Sequence, residues 1–338
     1  MIYLYRFREK LLGIFTKFDY LFIPAVKFLI AFFAYLWLNA NVGFMEKISK
    51  PVIALLAALL AAILPWGGIV AIGTVLLLMH MFALSLEAFI VTLVLVLVAG
   101  ILYYLFAPGS SVVIALSPLA FYLKIPYALP VMTGLLSGVT SAVSLVIGVF
   151  FYYWIMYIRQ IVGIFTDTSL AGMLQRFVQM INGFLTNRML ILMAITLAVS
   201  LVLVAVIRRL PIPRARVVAI IAGFLTNLLI LFIIGYSGEL SVSVSEVLLG
   251  TLGAAVLTVI LEFMIFCVDF GRSEYLEFED DHYVYQVKAV PKIEVLSAQQ
   301  TEEELPAPLP ITDLDPDAMV AEAGMEPEPE EPEEDHKE

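Results

Sequence analysis

The sequence predicts an all-helical integral membrane protein with about six full transmembrane helices and two opposed, proline-broken re-entrant hairpins; the alternative is eight full spans. Three observations carry this expectation. Of 338 residues, 62% are hydrophobic and only 14% charged, too little polar surface for a soluble fold of this length. Six apolar runs are long enough to cross a hydrocarbon core of about 30 Å. Two further stretches, Val52–Leu84 and Val112–Ser137, are equally apolar, but prolines divide them into limbs that are mostly too short to cross.

The elements follow in order. Residues 1–19 scatter Arg6, Arg8, Glu9, Lys10, Lys17 and Asp19 among aromatics. With no apolar signal-peptide region and no small-residue cleavage site, they read as an amphipathic interfacial helix. Residues 20–268 form the polytopic domain, whose full spans are Tyr20–Asn41, Ala88–Ala107, Gly138–Ile158, Met189–Ile207, Val217–Tyr236 and Val247–Val268. Between the first and second spans, Val52–Leu64 and Ile69–Leu84 flank Pro65-Trp66-Gly67-Gly68. Between the second and third, Val112–Leu123 and Ala128–Ser137 flank Lys124-Ile125-Pro126-Tyr127. A limb of 12 or 13 residues reaches only about 18–20 Å at about 1.5 Å per residue, so such a limb dips in and returns. The limb ending at Leu84 is longer. If both limbs of that hairpin span, the count becomes eight and neither terminus changes side.

Charge sets the orientation. Residues 1–268 carry 15 Lys/Arg against 8 Asp/Glu, and residues 269–338 carry 4 against 22, so a basic membrane body precedes an acidic tail. Arg208, Arg209, Arg214 and Arg216 crowd one connection, and four Lys/Arg precede the first span. By the positive-inside rule both regions are cytoplasmic, and counting spans places the C-terminus there as well. The first hairpin then inserts from outside and the second from inside. Weak echoes link them: Val52-Ile53-Ala54-Leu55 with Val113-Ile114-Ala115-Leu116, and Pro65-Trp66 with Pro126-Tyr127. A second echo repeats Gly183-Phe184-Leu185-Thr186-Asn187 as Gly223-Phe224-Leu225-Thr226-Asn227.

Non-helical backbone at membrane depth is tolerated only inside protein or beside water, so the breaks point to a solute path. Candidates on that path are Lys124, Pro65, Pro118, Pro126, Pro130 and Glu262. An ammonium at the tip of the second hairpin pairs with an anionic solute or with a carboxylate such as Glu262; in a shallower hairpin it snorkels to an interface. Glu262 reads equally as a proton site or as a packed carboxylate. His80 has no second histidine at ligand spacing and reads as a helix-packing residue. Glu87 reads as an N-terminal cap.

Within residues 269–296, Tyr275–Val290 alternates aromatic and β-branched residues with polar ones, so the segment reads as a cytoplasmic juxtamembrane β-hairpin. Residues 297–338, rich in Pro, Glu and Asp, read as a disordered acidic tail. The lone Cys267 permits no intrachain disulfide. Metalloprotease, α/β-hydrolase and P-loop signatures are absent, so no enzyme activity, cofactor or metal is expected.

In layout, the paired broken hairpins resemble carriers with opposed re-entrant hairpins, such as the glutamate-transporter type. That resemblance implies alternating access, but the binding motifs of those carriers are missing here and no binding residue carries over. In overall character the chain resembles multi-span proteins of Gram-positive bacteria, which implies a bacterial plasma membrane. The expected function is a transporter or transporter subunit. Its partners are the lipid bilayer, a small anionic solute and a cytoplasmic protein at the tail, with no nucleic acid. The competing expectation is a non-transporting scaffold that recruits cytoplasmic partners through the acidic tail.

Overall fold

The structure is a computed structural model describing residues 7, 8, 10, 17–166, 170–212, 214–236, 243–266, 274–279 and 284–289. Cys267, the tail at 297–338 and most of the expected N-terminal helix lie outside these residues. The chain divides into two compact units, residues 1–268 and 269–338.

The first unit is helical: α1 (Asp19–Val42), α2 (Pro51–Ile63), α3 (Gly67–Leu84), α4 (Leu86–Phe106), α5 (Ser111–Tyr122), α6 (Ala128–Leu136), α7 (Ser141–Ile161), α8 (Leu170–Leu185), α9 (Arg188–Ile207), α10 (Ala215–Tyr236) and α11 (Val244–Phe266). Seven of these, α1, α3, α4, α7, α9, α10 and α11, are long and apolar enough to cross a membrane. Six correspond to the expected runs; the seventh is the longer limb of the first broken stretch. Trp66 already has helical backbone angles, so Gly67 and Gly68 begin α3 instead of prolonging the break.

Different local chemistry makes the two breaks. Leu64 precedes Pro65, whose ring disfavours a helical neighbour, and it is extended at φ -71, ψ 162. At the second break, the Ile125 N–H donates to Ala120 O at 2.9 Å and the Lys124 N–H to Phe121 O at 3.1 Å. This pair of bonds is the Schellman arrangement that closes a helix, and it places Lys124 at φ 60, where glycine is usual.

Each broken stretch turns back on itself. The Lys27 Nζ of α1 donates to Leu64 O at the first tip, and the Tyr35 hydroxyl donates to Ile69 O at 2.7 Å. Toward the end of α3, the His80 Nδ1 accepts from the Met45 N–H in the loop that leads into α2. The pair α2–α3 therefore leaves that loop and returns to it. In the second pair, Phe121 stacks on Tyr152 of α7 with ring centroids 4.3 Å apart. Beyond its tip, α6 runs back until Arg208, at the end of α9, donates to Leu135 O and Ser137 O. Measured along α1 and α7, each tip reaches well past the middle of its neighbouring long helix.

Burial separates the pairs. On α2 only Ala54, Ala58, Ala61 and Ala62 are buried, a small-residue stripe against α1. Its larger residues, such as Leu56, Leu60 and Ile63, face outward. On α6, by contrast, seven of nine residues are buried, against α9, α10 and α11. The limb α5 lies along α7, where a Cβ on Gly148 would overlap Ser117 Oγ. Its sequence counterpart α2 lies along α1 instead of α4, so the echo between the stretches is not matched by equivalent packing.

In the second unit, strands β1 (Glu274–Glu279) and β2 (Val284–Ala289) pair antiparallel, with Glu274 opposite Ala289 and Glu279 opposite Val284.

Candidate functional site

A cavity of about 190 Å³ lies among α1, α3, α4, α5 and α7. Its walls include Tyr35, Gly73, Thr74, Gly100, Pro118 and Phe151. One limb from each broken pair borders it, α3 from the first and α5 from the second. The lining is almost wholly apolar, and its hydroxyls are engaged or few: Tyr35 donates to Ile69 O and Tyr103 to Pro108 O at 2.6 Å. Pro118 sits inside α5, where it lacks the N–H that would close a helical turn. Of the six residues expected on a solute path, it alone lines the cavity.

Lys124 lies elsewhere. Its ammonium donates to Glu246 Oε1 at 2.9 Å, with both side chains largely exposed, at 73% and 62%. Glu246 stands in the first turn of α11, where a carboxylate also complements the helix N-terminus. One turn on, Gly250 admits the tip: a Cβ there would lie 2.5 Å from Lys124 O. The pairing of Lys124 with Glu262 therefore does not form. Glu262 is sixteen residues farther along α11, about 24 Å at about 1.5 Å per residue, and is half-buried.

The remaining prolines shape backbone. Pro65 forces the extended Leu64, and Lys27 answers the freed Leu64 carbonyl while lying 5.3 Å from the Trp66 ring centroid. Pro126 directs the chain into α6, and the buried Pro130 sits in its first turn.

Several polar residues have roles that sequence reasoning understated. Glu87, in the first turn of α4, is 4% exposed and pairs with the 8%-exposed Arg176 of α8. The Arg176 Nε and Nη2 approach Glu87 Oε1 at 3.1 and 2.5 Å. The amphipathic pattern of α8 offered the available signal, because Arg176 interrupts its apolar face between Met173 and Met180. Fully buried His80 accepts from Met45 at Nδ1 and so donates from Nε2 to Asn39 Oδ1 at 3.1 Å, while the Asn39 amide donates to Ile48 O. Both ring nitrogens are thus used in packing.

The five-residue echo serves two purposes. Asn187 caps α9 by accepting from the Met189 and Leu190 N–H groups. Asn227 is fully buried on α10, with neither side-chain polar atom partnered among the described residues. Among the described residues no group of three His, Cys, Asp or Glu side chains could hold a metal ion.

The chain matches no protein-family model, no curated protein and no solved structure.

Proposed function

We propose that this multi-span membrane protein is a carrier in a bacterial plasma membrane, with both termini cytoplasmic, and that the cavity among α1, α3, α4, α5 and α7 holds its solute. The observation that carries this reading is that both broken pairs contribute a wall of that cavity. Opposed re-entrant hairpins around a shared site suit alternating access. The second pair is the moving part. An exposed ion pair such as Lys124–Glu246 contributes only about 0–1 kcal/mol, so parting the two charges costs little, and motion of the tip then has only its packing of Lys124 O and buried Tyr127 against Gly250 to overcome. Arg208 meanwhile holds the base of the pair through the Leu135 and Ser137 carbonyls. Because Lys124 is already matched by Glu246, its role is that of a latch and not a receptor for a small anionic solute.

Spin labels on Tyr122→Cys and Val256→Cys, in a Cys267→Ser background, test this motion. The carrier reading predicts two distance populations in liposomes. A single narrow population contradicts it.

The second reading is the scaffold, favoured by the separate compact unit at 269–338 with its paired strands and net acidic charge. Full function after deletion of residues 269–338 would count against it.

A further inference from the structure

We infer that the cavity accepts a hydrocarbon chain of a membrane lipid, which slides in sideways between α4 and α5. The inference rests on the cavity being the solute site of the proposed carrier. Three features lead to it.

The first is the lining. Among the described residues, none that is charged borders the cavity. An apolar cavity of about 150 Å³ stays dry and takes a benzene-sized ligand, so 190 Å³ suits a short length of hydrocarbon.

The second is an open seam. α4 packs against α3, α7 and α8, and α5 packs against α7, α1 and α3; the two do not pack closely with each other, although a short turn joins them. Both nevertheless line the cavity, through Val96, Gly100 and Tyr103 on α4 and Ile114 and Pro118 on α5. Gly100 is exposed, and a Cβ built on it meets nothing within 4 Å. The wall is therefore thin at Gly100.

The third is depth. Val96 is the midpoint of α4 and Gly100 lies four residues on, about 6 Å at about 1.5 Å per residue, so both fall within the hydrocarbon core, where a transmembrane helix lies beside acyl chains and not beside headgroups. The neighbouring outward residues Leu97, Ile101 and Leu105 are exposed and apolar. A chain can pass from that surface into the cavity without meeting water.

The test uses the full-length protein in liposomes containing a phospholipid with a photoreactive diazirine midway along one acyl chain. Adducts are mapped by mass spectrometry. The expected result is labelling at Ile114–Pro118 as well as at outward Leu97. Gly100→Trp should lower the ratio of cavity to Leu97 labelling roughly tenfold, as apolar discrimination of this kind does. If that variant fails to insert, Val96→Phe narrows the same seam and should act in the same direction.

Labelling confined to Leu97 and similar outward positions, or a ratio unchanged by the filling variants, overturns the inference. So does cavity labelling by a water-added aryl diazirine without labelling by the phospholipid, because the occupant is then a free apolar solute. The spin-label experiment reads the carrier proposal separately. Chain labelling with a single distance population keeps the lipid site and removes the carrier, whereas two populations without chain labelling do the reverse.

Discussion

The first broken pair, α2–α3, lies at the rim of the bundle and is tied down through buried polar contacts. The second, α5–α6, penetrates the centre and packs its tip on Gly250, yet the polar side-chain contact at that tip is an exposed ion pair. Along the first pair, Tyr35 bonds Ile69 O and His80 bridges Met45 and Asn39. Just past its end, Glu87 is clamped by Arg176. The second pair has close apolar packing along both limbs and the Lys124–Glu246 contact at its tip. Buried contacts of this kind cannot be released singly without leaving uncompensated polar groups, whereas an exposed pair exchanges readily with water. Central position and an exchangeable ion pair at the tip together make the second pair the better candidate for motion.

This contrast can be broken most forcefully at the end of the first pair. Arg176→Met strands a buried carboxylate and should destabilise the protein by about 3–5 kcal/mol. Adding Glu87→Gln should recover much of that loss, as read by denaturant unfolding in detergent. A negligible effect of Arg176→Met would remove the claim that this end is firmly fixed.

The next largest effect concerns the packed limbs of the second pair. Gly148→Val forces α5 away from α7 and should cost about 1–3 kcal/mol through overpacking. Because Pro118 and Ile114 sit on α5, the same variant should also alter labelling at the cavity.

The smallest effect belongs to the tip. Lys124→Gly removes the ion pair but relieves a left-handed residue at φ 60, a conformation that costs about 1–2 kcal/mol outside glycine. The variant should therefore be as stable as the parent or slightly more so, while Lys124→Met should lose up to about 1 kcal/mol. Raising the salt concentration should narrow the gap between the parent and Lys124→Met. A large loss in Lys124→Gly would make the tip a firm anchor and erase the difference between the pairs.

Much of the fold was legible because apolar run length and proline placement act locally. The six long runs and both interruptions follow from those features alone. The extent of α3 was less visible, since Gly67 and Gly68 read as punctuation until Trp66 is seen already in helical conformation. Long-range pairing was least accessible. Lys124 and Glu246 are 122 residues apart and Arg176 and Glu87 are 89 apart, and no local pattern connects such partners. Pro118, inside α5, pointed toward the cavity, but its other walls come mostly from aliphatic, Gly, Ala and aromatic positions that carry no distinctive sequence signal. The two copies of Gly-Phe-Leu-Thr-Asn show the same limit, as one asparagine caps a helix and the other is buried.

The central claim is that the two broken pairs insert from opposite sides. Single cysteines at the exposed positions Lys47 and Thr140, in a Cys267→Ser background, test it with a membrane-impermeant maleimide applied to intact cells and to inverted vesicles. Lys47 lies in the loop that begins the first pair, and Thr140 follows the second. Insertion from opposite sides predicts labelling of Lys47→Cys from outside only and of Thr140→Cys from the cytoplasmic side only. Labelling of both from the same side would contradict it.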